Sequence, residues 1–457
     1  MDIRFQPNNT HLEDASNFAE LDPHLRRLQQ QHFIFRSALI DELPWQIPSI
    51  LTLTGGRQIG KTTLLKQWMA DLLKKGVTPE AISFFSGELI GDYQTLYTLI
   101  QAQLQTGPTT GLTYCIIDEI TYVADWDKAV KYLADIGVLE DTVLVLSGSD
   151  SVIIQDARKR FPGRRGKASK VDFHYYPLSF RECLQLKGKL PNATLEEVAA
   201  SPDTINSLFE ELDHYLIHGG FLTAINDFES EKTIPQATLS TYSDWIRGDV
   251  IKRNKKEAHL KEIISAIIKH YTKQVSWDNL TKEMSIGHTQ TISDYMSLLS
   301  SMDAVFIQPA LREDILGAAP KKRKKLMFCD PFIYHAMHSW LTPTQNAFKT
   351  QIKPLFNDPV HYSNLVEACV ATHYNRFYPT YYIKAEGEVD IAYVDGKHFH
   401  PIEVKWTSQL RPKDLKQIRK YSNGKIFAKT RQLSMLDHLP VIPLPLALMQ
   451  LTNKKEG

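Results

Sequence analysis

Cysteine is scarce in this chain. Its four cysteines in 457 residues, Cys115, Cys183, Cys329 and Cys369, stand far apart and never form a CxxC pair. That spacing excludes a disulfide-stapled scaffold and a cysteine-built zinc site, and it suits a reducing interior. An excess of one charge is missing too. Lysine and arginine number 53 against 52 acids, a formal net charge of +1, so no global field draws the chain toward DNA or a membrane, and any nucleic-acid surface must be local. No apolar run is long enough to span a bilayer: the most apolar late stretch, residues 439–451, is short and holds three prolines. The opening residues, Met1 to Pro7, lack the apolar core of a signal peptide. These absences predict a cytoplasmic chain with no membrane partner. What is present is a globular composition, 43% hydrophobic and 23% charged, at a length that suits about three domains.

The most informative stretch begins at residue 50. A β-branched apolar run, Ile50 to Thr54, predicts a buried strand. It leads into Gly55-Gly56-Arg57-Gln58-Ile59-Gly60-Lys61-Thr62-Thr63, and Leu64, Leu65 and Trp68 follow at helical spacing. Strand, glycine loop and helix form the context in which Gly-x-x-x-x-Gly-Lys-Thr cradles a phosphate. The glycines let backbone N–H groups turn toward the anion, and the helix points its positive end at the same place. Lys61 is placed to reach β- and γ-phosphates, and the Thr62 hydroxyl to ligate Mg2+.

Two further strands complete this reading. Thr113-Tyr114-Cys115-Ile116-Ile117 ends in Asp118-Glu119, an acid pair at the carboxyl end of a strand, where ligand groups gather in parallel sheets. Asp118 is expected to hold Mg2+ and Glu119 to polarise an attacking water. The run from Thr142 ends in Ser147-Gly148-Ser149, which places Ser147 as a sensor of the γ-phosphate or water. A basic loop, Arg158 to Lys167, follows; one of its arginines can complete a neighbouring subunit's nucleotide site or the run can be a solvated face. Residues 1–33 read as a polar lead-in.

The rest of the chain changes character twice. Apolar spacing at Leu260, Ile263, Ile264, Ile267 and Ile268 predicts a helix. A short helix from Trp277, a third opened by His288-Thr289-Gln290, and a strand pair at 304–307 and 326–328 together predict a winged helix. That domain can contact DNA or serve as a protein–protein module. Its hairpin loop holds Lys321, Lys322, Arg323, Lys324 and Lys325, expected to neutralise nucleic-acid phosphates. In the last domain a helix carries Glu367. A hairpin follows, with Glu388-Val389-Asp390 on one strand and Glu403-Val404-Lys405 on its partner; alternation sets Glu403 and Lys405 on one face. Asp390 and Glu403 can bind Mg2+, and Lys405 can orient or deprotonate a water for attack on a phosphodiester.

The chain resembles a group of bacterial and archaeal AAA-type ATPases whose C-terminal domain is restriction-nuclease-like. The matching stretches are Gly55–Thr63, Ile117–Glu119 with Trp126 and Asp135, Leu146–Ser149, Gly163-Arg164, Tyr176-Pro177-Leu178-Ser179-Phe180-Arg181-Glu182 and Gly219-Gly220-Phe221-Leu222. Leu222 departs from the proline common there. This resemblance implies ATP and Mg2+ as cofactors and Arg164 as the arginine finger, which implies a homo-oligomer if it acts in trans. The pattern Glu388-x-Asp390 with Glu403-x-Lys405 resembles the PD-(D/E)xK nucleases, and Glu367 matches the helix glutamate and metal ligand of their Holliday-junction-resolvase-like members. The expected fold is α/β: a P-loop parallel-sheet core with a helical lid (34–255), a winged-helix domain (256–330) and a restriction-endonuclease-like α/β domain (331–457). The expected function is ATP hydrolysis coupled to DNA binding or processing. The alternative is a nucleotide-regulated switch or scaffold whose nuclease-like domain binds DNA or protein without cutting. In either case Lys61→Ala is expected to abolish ATP turnover in a phosphate-release assay, and turnover at the parent rate would remove the P-loop assignment.

Overall fold

A computed structural model describes residues 2–452 except 109, 152, 155–158, 160–162 and 412–414. The chain divides into two compact units, Met1–Tyr176 and Pro177–Gly457.

The first unit is built on strands β1 (Ser49–Thr54), β2 (Ile82–Ser86), β3 (Thr113–Asp118), β4 (Thr142–Gly148) and β5 (Asp172–His174). All pair in parallel, in the order β2-β3-β4-β1-β5. Helices α1 (Lys61–Lys74), α2 (Tyr93–Thr106) and α3 (Trp126–Asp135) connect or follow them. β1 and β4 are buried along their whole length, and apolar residues fall on both faces of each strand (Ile50, Leu51 and Leu53; Val143 to Leu146), as a parallel sheet covered on both sides requires. Ile117, Leu144 and Leu146 join Leu96, Ile100, Trp126, Val130 and Leu133 of the helices in one core. The order puts β1 between β4 and β5, so the carboxyl ends of β1, β3 and β4 lie at one rim of the sheet.

Residues 2–33, expected as a lead-in, are instead a working part of this unit. β2 is an edge strand, whose unpaired backbone groups invite foreign pairing. The Asn9 amide covers it by donating to Phe84 O and accepting from Phe84 N, both at 2.8 Å. His11 Nε2 bonds Ile82 O at 3.0 Å, and Phe5 packs edge-on to Phe85 at 5.0 Å between ring centroids. Asp22 caps the helix Pro23–Gln29 and pairs at 3.1 Å with Lys66 of α1, both side chains fully buried. Burial lowers the Lys66 pKa, and Asp22 opposes that shift.

The second unit opens with helices α4 (Phe180–Leu186), α5 (Pro202–His218), α6 (Leu222–Glu231), α7 (Gln236–Lys252) and α8 (Glu257–Lys269). The region expected to close the nucleotide domain as a lid therefore clusters with the C-terminal half from Pro177 onward. Next come β6 (Gln274–Val275), α9 (Trp277–Thr281), α10 (Thr289–Ser301), β7 (Val305–Pro309), β8 (Leu311–Arg312), β9 (Gly317–Ala318) and β10 (Lys324–Phe328). β6, β10 and β7 form an antiparallel sheet beside three helices. After α11 (Pro331–Leu341) and α12 (Pro359–Asn375) comes a mixed sheet of β11 (Thr380–Lys384), β12 (Glu388–Asp395), β13 (His398–Lys405), β14 (Lys425–Ala428), β15 (Ser434–Leu436) and β16 (Leu439–Pro443). Its order is β11-β12-β13-β14-β16-β15, with β13, β14 and β16 parallel. Between β13 and β14, Ile418–Lys420 forms a single 3-10 turn.

The Gly219-Gly220 pair is explained by packing. Gly219 has φ +57°, and a Cβ there would lie 1.7 Å from Asp330 Oδ1. A Cβ on Gly220 would lie 2.0 Å from Leu178 O. The two glycines thus let the N-cap carboxylate of α11 and the backbone before α4 approach one turn: Gly220 N donates to Asp330 Oδ2 at 2.9 Å, and Leu178 N to Gly220 O at 2.8 Å. Burial raises Asp330 to about 6. Gly219→Ala therefore meets both backbone strain and a clash, each worth about 1–3 kcal/mol. A urea midpoint should drop accordingly, and an unchanged midpoint would refute this packing.

Candidate functional site

The β1–α1 turn is conformationally demanding. Gly55 (φ +152°) and Gly60 (φ +98°) occupy backbone regions suited to glycine, and a Cβ on Gly55 would lie 2.3 Å from Tyr175 O. The turn delivers Lys61 to the first position of α1, buried, with its ammonium donating to Gly55 O and Gly56 O, both at 2.9 Å. Glu119 Oε1 stands 3.5 Å from the same ammonium. Thr62 Oγ1 donates to Asp118 Oδ2 at 2.6 Å. Ser147 Oγ donates to Asp118 Oδ1 and accepts from Glu119 N at 3.2 Å. Ser149 N and Oγ both contact Glu119 Oε2 at 3.2 Å.

Lys61, Thr62, Asp118, Glu119 and Ser147 are thus brought together at one rim of the sheet. The convergence of a hydroxyl and a carboxylate, oxygen donors only, fits Mg2+. Within the rest of the loop, Arg57 donates to Tyr122 OH at 2.6 Å, Gln58 is exposed at φ +60°, and Ile59 is buried; Thr63 is half-buried on α1. Two contributors were not singled out in the sequence. Ser149 holds the Glu119 carboxylate, and its signal was the second hydroxyl of Ser147-x-Ser149. Gly87 follows β2, and a Cβ there would lie 2.4 Å from Glu119 O.

Arg164 is elsewhere. Its side chain pairs with Asp135, and its neighbours bind the start of β1: Ile50 N donates to Arg165 O at 3.2 Å, and Gly166 bridges Ser49. The P-loop leaves the other end of that six-residue strand, about 20 Å away at the usual rise. Arg164 therefore does not reach this chain's own P-loop. Arg158 and Arg160 lie outside the described residues.

A second constellation lies in the C-terminal unit. Lys405 Nζ pairs with Glu403 Oε1 at 2.6 Å, and Asp390 Oδ2 accepts from Val404 N at 2.9 Å. Glu403 Oε2 is buried without a hydrogen-bond partner. Burial, with Asp390 nearby, pushes Glu403 up to about 8. An orphaned buried carboxylate oxygen on the strand beside Asp390 fits a divalent cation. Lys405, despite burial, is held above the ordinary lysine range by Asp390 and Glu403.

Lys325 corrects an expectation. It was grouped with the phosphate-binding hairpin, but it is 1% exposed and pairs with Glu367 Oε1 at 2.8 Å and Glu388 Oε1 at 2.6 Å. β10 is buried from Lys325 through Phe328, so the strand carries Lys325 inside while Lys321, Lys322 and Arg323 of the preceding loop stay exposed. Burial opposes its charge, yet Glu367, Asp390 and Glu388 together hold its pKa raised. Glu367, expected as a metal ligand, is raised to about 7 by burial against the pull of Lys325. Lys321, Lys322 and Arg323 remain exposed, and Lys324 is half-buried over the Trp277 ring at 5.3 Å. The exposed face of α10 carries Gln290, Asp294 and Ser297 and no cation. Glu211, His214 and Glu229 also converge, but Lys187 lies 3.0 Å from Glu211 and 2.5 Å from Glu229, so their charge is already met. Among the described residues no helix is long and apolar enough to cross a membrane.

Residues 48–184 match the model of an AAA domain, and residues 209–344 match a domain of unknown function, DUF8612. An uncharacterized protein of Haemophilus influenzae is 27% identical over 281 residues, which cover 59% of this chain and 64% of that relative; the match thus spans just under two thirds of the relative's length. Among solved structures, the Walker-type ATPase paby2304 of Pyrococcus abyssi aligns at TM-score 0.43 and 11% identity over 65% of this chain and 93% of its own. The ORC2 protein of Aeropyrum pernix, in ADPNP and ADP complexes, aligns at 0.34 and 12% over 72% and 93%. The chain carries an AAA-type P-loop domain. Because Glu119 is held by Ser149 beside Lys61, Glu119→Gln should keep ATP binding and slow hydrolysis by at least about a hundredfold; a normal rate would assign the base elsewhere.

Proposed function

We propose that this protein is a cytoplasmic, Mg2+-dependent ATPase that couples nucleotide turnover to the binding and processing of DNA. The observation that carries the ATPase reading is the meeting of Lys61, Thr62, Asp118, Glu119 and Ser147 at the carboxyl ends of three parallel strands. The loop N–H groups and Lys61 hold the triphosphate. Thr62 and Asp118 hold Mg2+, which when bound neutralises charge on the β- and γ-phosphates. Glu119 orients a water and accepts its proton as the water oxygen attacks the γ-phosphorus and the bond to the bridging oxygen breaks. Ser147 and Ser149 fix both carboxylates. If Arg164 acts on the site of a second copy, turnover needs a homo-oligomer.

The helices α8, α9 and α10 with the β6-β10-β7 sheet are read as a winged helix. The last sheet with α12 is read as a PD-(D/E)xK lobe. What supports DNA as substrate is proximity: the exposed Lys321-Lys322-Arg323 loop lies next to the sheet that bears the carboxylates, with Lys322 Nζ donating to Lys384 O at 3.0 Å and Tyr382 OH to Arg323 O at 2.6 Å. A phosphodiester backbone held by those cations passes beside Asp390, Glu403 and Lys405. A second reading, a nucleotide-regulated module that holds DNA or protein without cutting, is favoured by the occupation of Glu367 and Glu388 by Lys325.

Incubation of plasmid and branched DNA with the protein and Mg2+, with and without ATP, separates the two. Cleavage that disappears in Asp390→Ala and Lys405→Ala supports processing; no cleavage in any nucleotide state supports the second reading. Neutralising Lys321, Lys322 and Arg323 should flatten the salt dependence of DNA binding. An affinity that never varied with salt would remove this loop as the phosphate contact.

A further inference from the structure

The charges around Lys325 say more about the carboxylate site, on the premise that the C-terminal lobe is a metal-dependent nuclease-like centre. Six ionisable side chains meet there: Lys325 from β10, Glu367 from α12, Glu388 and Asp390 from β12, and Glu403 and Lys405 from β13. They divide into two halves. In one half, Lys325 lies 2.8 Å from Glu367 Oε1 and 2.6 Å from Glu388 Oε1, and 3.7 Å from Asp390 Oδ1. A buried ammonium persists only when paired, and this one is paired twice at hydrogen-bond distance. The small β6-β10-β7 sheet adds to the hold. Gln274 donates to the other oxygen of Glu388, and Gln308 Nε2 donates to Tyr381 O at 2.9 Å and Asp390 O at 3.1 Å. In the other half, Asp390 takes a backbone N–H, Lys405 takes one oxygen of Glu403, and the second Glu403 oxygen is buried and unpartnered.

The count of formal charges follows the same division. With every group ionised, four carboxylates against two ammonium groups leave two negative charges, which one divalent cation balances. A second divalent ion would have to draw on Glu367 or Glu388, whose oxygens the Lys325 ammonium and Gln274 hold. A lysine here does what a second ion does in two-metal centres: it draws carboxylates together and offsets their repulsion.

We propose that Lys325 is the resident counter-ion of Glu367 and Glu388, and that it confines a single divalent cation to Asp390 and Glu403. The site is then a one-ion centre completed by a side chain from the preceding small sheet, and Lys325 is a positioning residue. Glu367 is not a metal ligand.

Mn2+ binding tests this in the full chain carrying Asp118→Asn, which removes the carboxylate proposed to hold the metal at the nucleotide site. Free Mn2+ is followed by electron paramagnetic resonance in the absence of nucleotide. One ion per chain is expected. Asp390→Asn and Glu403→Gln should each weaken it by at least about tenfold, whereas Glu367→Gln should leave the affinity nearly unchanged. Lys325→Met should raise the number of bound ions to two. Two ions on the parent, one ion on a folded Lys325→Met, or a Glu367→Gln effect as large as that of Glu403→Gln would each overturn the role of Lys325. If Lys325→Met fails to fold, the comparison of Glu367→Gln with Glu403→Gln decides alone. No Mn2+ on the parent would instead overturn the metal-dependent reading on which the proposal rests.

Discussion

A lysine side chain cannot be delivered to a polyphosphate from the middle of a buried sheet unless the backbone turns sharply at the strand's end and starts a helix there. That constraint organises the first unit. β1 is buried along its length, so its polar work is confined to its carboxyl end, and Gly55 and Gly60 provide the backbone conformations that let α1 begin at Lys61. β3 and β4 end at the same rim. Asp118 receives the Thr62 hydroxyl, and Ser147 ties Asp118 to Glu119. Backbone amides, ammonium, hydroxyl and carboxylates are thereby held in one place by elements that pack as a sheet core.

The second unit solves a different electrostatic problem. Its carboxylates come from a helix and two strands, and their mutual repulsion is offset by two lysines. Lys405 stands two residues from Glu403 on the same strand, as a local pairing. Lys325 comes from another sheet altogether. The buried charge of Lys325 ties the small antiparallel sheet to the larger mixed one, and truncating a partner of such a pair leaves an uncompensated buried charge, a change that typically costs about 3–5 kcal/mol. The other members of the same basic run, Lys321, Lys322 and Arg323, remain exposed.

Some of this was legible in the sequence because the signal was local. The strand–glycine loop–helix order, the acids ending β3 and the hydroxyls ending β4 all lie within a few residues of the pattern that identifies them. The hairpin that pairs Asp390's strand with Glu403's was legible for the same reason: Asp395-Gly396 marks its turn. Lys325 was misread because it ends a run of cations read together as phosphate contacts, and the burial of its position shows only once β10 is paired with β6 and β7. The N-terminal segment was missed because side chains, not strand periodicity, attach it: an asparagine amide that pairs with Phe84 leaves no repeating pattern. The division at Tyr176 was missed because the helices after it carry no break in composition. Glu388 was within a quoted motif, but its partner is 63 residues upstream (388 − 325).

The central claim is that the β1–α1 turn binds a nucleoside triphosphate with magnesium. Calorimetric titration of the folded chain with ATP and Mg2+ tests it most directly. Saturable heat with one nucleotide bound per chain is expected, and it should be lost in Lys61→Ala. Absence of heat with adenine and guanine nucleotides alike, from protein whose circular dichroism shows it folded, would contradict it.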